Sequence, residues 1–277
     1  TIQRFYLDHN ATTPLRPAAR EAMLDALDAT GNASSVHAEG RAARALVETA
    51  REKVAALVGG RARNVVFTSG ATEALNLALR PDWRVGPQGG HFELLLASAT
   101  EHVAALEGHA FGRRVEILPV DRSGRLDLAA LGTTLAGYAG ARVMVCLQAA
   151  NNETGVIQPV AEAAEQVHAA GGLLVCDAVQ AAGRIACSFE TTGADMLVLS
   201  SHKTGGPMGA GALVLRDAAL HCDRPLIRGG GQDAAGKNNT SARAGFHQSN
   251  KTKIAVANDK AGISHVTANE PKNPAAR

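Results

Sequence analysis

Aromatic side chains are scarce: six Phe, two Tyr and one Trp in 277 residues. With so few stacking platforms, a net charge of only +2 and basic residues spread along the chain, no nucleic-acid partner is expected. No apolar run approaches the length of a bilayer span, and the start "TIQRFYLDHNATTP" has no basic stretch leading into an apolar one. The expectation is therefore a cytoplasmic protein with no membrane partner. Cysteine is sparse too. Cys146, Cys176, Cys187 and Cys222 lie far apart, the first two inside the apolar runs "VMVCLQ" and "LLVCD", which argues against a disulfide framework or a zinc knuckle. His37, His91, His109, His168 and His221 fall at no metal-ligand spacing, and no metal site is expected.

The sharpest shortage is lysine. Up to Asp233 the chain has only Lys53 and Lys203, against nineteen arginines. Arginine carries the ordinary surface charge, so a lysine delivered by the buried-looking run "DMLVLS" into the glycine-rich "SSHKTGGPMGAG" calls for chemistry that arginine cannot do.

What the chain does have is alternation. The runs "NVVFTS", "ELLLAS", "RVEILPV", "RVMVCLQ", "GLLVCD", "DMLVLS" and "AGALVLR" alternate, for the most part, with helix-period segments such as "GATEALNLALR", "TEHVAALEGHAF", "LDLAALGTTLAG" and "PVAEAAEQVHAAG". Continuously apolar strands predict a sheet covered on both faces, and repeated strand-helix units predict that it is mostly parallel. The fold class is therefore α/β, in three layers. Two helices are predicted before this block, in "RPAAREAMLDALDA" and in "GRAARALVETAREKVAALVG", the second ending on Gly59 and Gly60. From Ala234 onward usage changes abruptly, to five lysines, six asparagines and no leucine. Such a tail suggests a segment of different origin that is poorly ordered.

In open parallel sheets ligands bind beyond the carboxyl ends of the strands. The residues there are Ser69 to Thr72, Thr100 to His102, Asn151 to Glu153, Asp177 with Gln180, and Ser200 to Lys203. A tight Gly70 turn opening a helix at Ala71 and Thr72 suits a phosphate. The bland alternative is an ordinary helix start with Thr72 and Glu73, as Thr100 could simply cap the helix after it and Asn151 and Asn152 could form a turn before Gly155. Asp177 at the end of an apolar strand needs a cation or a turn to cap. Lys203 needs a partner or must lose its proton, and a desolvated lysine is a Schiff-base nucleophile. The two could pair as a salt bridge. One ligand, pyridoxal 5'-phosphate (PLP), would satisfy both together with the phosphate loop.

The ordered set "YLDHNATTPLRP", "GNASSVHAEGRAAR", "FTSGATEALNLAL", "SATEHVAAL", "NNETGVIQPV", "CDAVQAAGR" and "SSHKTGGPMGAGAL" resembles the cysteine desulfurases of the class V aminotransferase group, from about Tyr6 to Gln232 and including the "GGGQ" at Gly229. The resemblance implies PLP-dependent removal of sulfur from L-cysteine, leaving alanine, in sulfur metabolism and iron–sulfur cluster assembly. It implies that Lys203 bears the cofactor and shuttles the substrate Cα proton, and that His102 stacks on the ring. Asp177 would hold the pyridinium and Gln180 the ring oxygen. Ala71, Thr72, Ser200 and His202 would hold the phosphate, with Asn152 beside cofactor and substrate. The partners implied are a second copy of the chain, in a homodimer, and a sulfur-acceptor or scaffold protein.

The division expected is an N-terminal segment at 1–14, a PLP-binding large domain at 15–233 whose first helices are shared with an incomplete small domain, and the tail at 234–277. In the family the sulfur-accepting cysteine lies on a loop well over a hundred residues past the lysine, followed by an arginine for the substrate carboxylate. This chain ends at Arg277, Cys222 stands only nineteen positions past Lys203, and Lys237 to Thr240 replace the expected Arg-x-Gly-Thr. Impaired turnover is therefore expected. The alternatives are a non-catalytic remnant that binds PLP or dimerises, or another class V lyase such as a selenocysteine lyase.

Overall fold

The computed structural model describes residues 4–86, 89–224 and 226. The polar tail from Ala234, the "GGGQ" at Gly229 and Lys237 to Thr240 lie outside them.

All seven apolar runs are strands of one sheet. In chain order the strands are β1 (Val65–Thr68), β2 (Trp83–Val85), β3 (Leu94–Ser98), β4 (Val115–Leu118), β5 (Val143–Gln148), β6 (Leu173–Asp177), β7 (Met196–Ser200), β8 (Gly211–Leu215) and β9 (Leu220–Cys222). The large sheet has the order β1-β8-β7-β6-β5-β3-β4, and its last five strands are mutually parallel. β8 is antiparallel to both of its neighbours, so β1 runs in the direction of β7. The carboxyl ends of β1, β3, β5, β6 and β7 therefore share one edge.

The helices are α1 (Pro17–Leu27), α2 (Ala38–Leu57), α3 (Ala71–Ala78), α4 (Val103–Leu106), α5 (Leu128–Gly137), α6 (Val160–Ala169) and α7 (Phe189–Thr192). They cover both faces. Leu94, Leu96, Val145, Leu147, Leu174, Cys176, Leu197 and Val214 point into a core closed by α2, α5, α6 and α7. The alternate residues Leu95, Ala97, Met144, Cys146, Leu173, Val175, Met196 and Leu213 point into a second core under α3 and α4. Period-two side-chain alternation along strands apolar at every position thus fills two cores at once. Each fully buried leucine or valine contributes about 1.5–3 kcal/mol, which is why the central strands need no polar face.

Three details depart from the sequence expectation. β2 and β9 form a separate antiparallel pair, held under the second core by buried Trp83, whose indole N–H donates to the Leu77 carbonyl at 2.9 Å. α4 is a single turn rather than a long helix: the side-chain-free face of Gly108 abuts Asn76 and the Ala104 carbonyl, and Ala110 N–H donates to the Leu79 carbonyl instead of continuing the helix. Its cap is His102, whose Nδ1 accepts from Ala104 N–H at 3.0 Å, while Thr100 accepts from the Gln148 amide. α2 ends as expected, with Gly59 at φ +64° and Gly60 N–H donating to the Ala55 carbonyl at 2.8 Å. α1 buries none of its residues, and Met23, Leu24 and Leu27 are exposed on it.

The glycine-rich stretch after β7 exists for close approach. A Cβ on Gly211 would stand 2.7 Å from the backbone of Gly70, so the turn before α3 lies directly against the start of β8. Because Gly211 pairs with Ser200 on one side and Thr68 on the other, this contact sets the α3 turn beside the end of β7. Gly205 has φ +86°, and a Cβ there would strike the Arg16 side chain, while the Arg16 backbone N–H donates to the Gly205 carbonyl at 2.9 Å.

Candidate active site

Register places the polar strand ends in a row. Gln148 is paired with Asp177, Asp177 with Val198, and Ser200 follows two residues later on β7. A single 3₁₀ turn, Ser201–Lys203, then turns His202 and Lys203 over this edge. The result is a cavity of about 610 Å³ bordered by Ala71, Thr72, His102, Asn152, Asp177, Gln180, Ser200, His202 and Lys203. Nine residues singled out from separate strand ends thus line one space, with the ε-amine of Lys203 and the carboxylate of Asp177 on the same side of the sheet.

Asp177 is 7% exposed. Its Oδ1 accepts from the Val179 N–H at 2.9 Å, so it caps the following turn, and among the described residues no cation pairs with it. Burial raises its pKa, opposed by the Val179 bond and then by the charges of His102 and Lys203. Lys203 moves the other way: burial, then the nearby Arg184 charge, lowers its pKa from the ordinary 10.5 against the pull of Asp177, Asp8 and Glu153. His202 is also lowered, by burial and then by Lys203. A buried carboxylate without an ion pair and a lysine eased toward its neutral form is an arrangement that awaits a ligand carrying its own cation and electrophile.

At the far end, α3 begins at Ala71. The Ser69 N–H and hydroxyl both donate to Glu73 Oε2, which closes the turn. The N–H groups of Ala71 and Thr72 stay without helical acceptors, at the positive end of the helix dipole. Asn151 is a turn former, its Oδ1 accepting from the N–H groups of Glu153 and Thr154; Asn152 reaches the cavity. Gln180 lines it too, though its amide is engaged, donating to the Asn10 carbonyl and accepting from Arg184.

One group of residues was missed from the sequence, the N-terminal segment and the arginine that binds it. The N-terminal segment crosses the cavity, with Ala11 and Thr12 in its lining, and Arg184 binds that segment. Arg184 sits four residues after Gln180, the spacing of a side-chain pair within one helical turn, and that spacing was the available signal. Below the floor lies Glu101, 6% exposed. It accepts from the Gln148 N–H at 2.8 Å, and the Cys146 thiol donates to its Oε2 at 3.7 Å.

Burial lifts the Glu101 pKa well above the ordinary 4.5; the Gln148 N–H opposes this and the Asp177 charge adds to it. The folded protein therefore keeps a proton that the unfolded chain loses above about pH 4.5, and stability falls as pH rises from there toward the folded pKa. Glu101→Gln preserves the acceptor for Gln148 and cannot ionise. Its stability relative to the parent is expected to climb as pH rises above about 5, read by denaturant unfolding at successive pH values. A difference that does not change with pH would refute a buried neutral acid.

The chain matches the family model described as aminotransferase class-V over residues 5–253, which reaches past the change of composition at Ala234. It is 42% identical over 238 residues to a cysteine desulfurase of Cereibacter sphaeroides, covering 83% of this chain and 59% of that protein. The solved NifS-like protein from Rickettsia africae superposes with a TM-score of 0.72 at 31% identity, covering 92% of this chain and 70% of that one. The structure described as SspA in complex with cysteine gives a TM-score of 0.71 at 28% identity, over 92% of this chain and 72% of that one. This chain spans about 60% of the length of the curated relatives it matches.

Proposed function

We propose, from the premise that this chain belongs to the class-V aminotransferase family, that it holds PLP in the cavity above β6 and β7 and removes sulfur from L-cysteine to leave alanine. The observation that carries this reading is the cavity's pair of complementary ends, Lys203 and the unpaired Asp177 on one side and the opening turn of α3 on the other.

The residues fit that cofactor on grounds of their own chemistry. Asp177 is buried with no ion pair among the described residues, and it suits a protonated pyridine nitrogen. A Cβ on Gly70 would meet no atom within 4 Å, so the α3 turn opens on free space where a phosphate can sit against N–H groups. Ala71, Thr72, Ser200 and His202 would hold that phosphate, His102 the ring face and Gln180 the ring oxygen. When bound, PLP supplies an electron-withdrawing ring that stabilises negative charge at the substrate Cα. Asp177 would favour the protonated form of the ring nitrogen. Lys203, with its pKa lowered, carries the Cα proton between substrate and product at Nζ. The segment holding Ala11 and Thr12 forms part of the cavity wall.

Sulfur needs a thiolate to leave to. All four cysteines are buried and none lines the cavity. Burial raises the thiol pKa of Cys146 and pushes Cys222 up to about 11. We therefore assign sulfur acceptance to a thiol other than these four. Homodimerisation, a sulfur-acceptor or scaffold partner, a cytoplasmic location and the division at 14 and 233 belong to the same proposal; among the described residues no helix is long and apolar enough to cross a membrane.

A second reading, PLP binding without turnover, draws on the fully surface-lying α1 and on the 59% coverage of the relative above. One assay separates the two. Protein loaded with PLP is incubated with L-cysteine, with and without dithiothreitol, and alanine and sulfide are counted. Release of both in equal amounts that depends on the added thiol supports the desulfurase. Loaded protein that releases no alanine in dithiothreitol supports binding alone.

A further inference from the structure

The guanidinium of Arg184 joins three stretches of chain that are distant in sequence. One of its terminal nitrogens donates to Asn10 Oδ1 at 2.8 Å and to Gln180 Oε1 at 2.9 Å. The other donates to the His9 carbonyl at 2.7 Å, to the Thr13 hydroxyl at 3.4 Å and to the Lys203 carbonyl at 3.0 Å. Both ends of Lys203 are thereby tied to one segment. Its carbonyl also accepts from the Thr13 hydroxyl at 2.9 Å, and its Nζ donates to the carbonyls of Asn10 and Ala11, the latter at 2.9 Å. Thr13 N–H donates to the His202 carbonyl at 2.9 Å, and Asn10 Nδ2 reaches the Asn152 carbonyl at 3.1 Å.

We propose that Arg184 is a positioning residue that straps the segment His9–Thr13 over Lys203, so that the carbonyls of Asn10 and Ala11 seat the lysine amine whenever it is free of cofactor. Two carbonyl dipoles aimed at one amine solvate it in place of water and hold it beside the cavity rather than in bulk solvent. An amine kept within reach returns to an electrophile faster than one that must be recaptured from many rotamers. The planar fork of arginine satisfies five acceptors at fixed angles, which the point charge of lysine does not reproduce. Solvent reaches Arg184, so replacing it leaves both cores intact.

The strap itself is independent of the proposed function; the effect on cofactor capture rests on that reading, and two measurements keep them apart. In protein free of PLP, hydrogen exchange across residues 8–13 is expected to quicken about tenfold or more in both Arg184→Ala and Arg184→Lys. Circular dichroism and the thermal midpoint show that each variant folds. In protein given PLP, the rate of cofactor capture by Lys203, followed by absorbance across pH, is expected to fall about tenfold in both variants. Asn10→Ala, which removes one acceptor of the fork, is expected to show part of each effect. Unchanged exchange in residues 8–13 overturns the strap. Quickened exchange with unchanged capture overturns the seat, and rescue of both by lysine overturns the fork in favour of charge alone. Failure of the parent protein to take up PLP would sink the proposed function and the seat with it, while exchange would still decide the strap.

Discussion

Replacing Lys203 with alanine is expected to lower alanine release from cysteine by about 10⁴-fold or more, since under the proposed function one side chain would supply both the covalent attachment and the proton shuttle. The cavity floor and the α3 turn are untouched by this change, so Lys203→Ala should still bind PLP reversibly. Cofactor that can be fixed on the peptide containing residue 203 by borohydride is expected to vanish. Lys203→Arg is the more telling variant. It keeps a positive charge near Asp177 but has no nucleophilic nitrogen at neutral pH, so it should resemble alanine in activity. Turnover within tenfold of the parent in either variant would mean that another amine does the work. Among the described residues the only other lysine is Lys53, on α2, which packs against the first core.

The second large effect concerns Asp177, and it has two signs. Without cofactor, burial raises the carboxyl pKa from 3.8, so the folded state binds the proton more tightly than the unfolded chain does. Stability contributed at low pH is lost as pH rises through and above 3.8. Asp177→Asn retains an oxygen for the Val179 N–H and removes the buried charge, so the PLP-free variant is expected to melt higher than the parent at neutral pH. With cofactor the order reverses. Removing one partner of a buried pair leaves the other unpaired, an effect of about 10²-fold or more on affinity. PLP titration and melting curves with and without cofactor measure both. If Asp177→Asn binds PLP as tightly as the parent, the carboxylate does not meet the ring nitrogen. If the PLP-free variant melts lower, Asp177 is held by a partner other than the Val179 N–H.

A crossing of those two signs would mark a functional residue, a group that costs stability without ligand and recovers it with ligand. Glu101 lies in the same buried layer and behaves differently. Its two contacts are the Gln148 N–H and the Cys146 thiol, and no cationic charge opposes the effect of burial there, whereas His102 and Lys203 oppose it at Asp177.

How much could be read without coordinates varied by the range of the interaction. Strand β7 was legible because "DMLVLS" is continuously apolar over the length of a strand, and the end of α2 because Gly59 takes a backbone angle that glycine accepts without strain. The polar residues of the site were legible for a related reason: each terminates an apolar run, and a polar group at that point is costly unless used. β2 and β9 were not, because three-residue strands carry too little periodicity to stand out. α4 looked longer than it is, since its apolar spacing continues past Leu106 while Gly108 is needed for contact with Asn76, a residue from another helix.

Local patterning alone therefore determined the seven strands of the large sheet, their two-sided burial and the set of residues at their carboxyl ends, because those follow from steric preference and hydrophobicity within a few neighbours. Only the tertiary structure decided that Arg184 reaches His9 and Asn10, that Lys203 rests on the carbonyls of Asn10 and Ala11, and that Gly70 touches Gly211. Such contacts join residues more than a hundred positions apart, most of them through backbone atoms that every residue possesses, and a sequence cannot mark a carbonyl as a partner. It is the crossing of the chain over itself that turns an ordinary exposed arginine into a clasp.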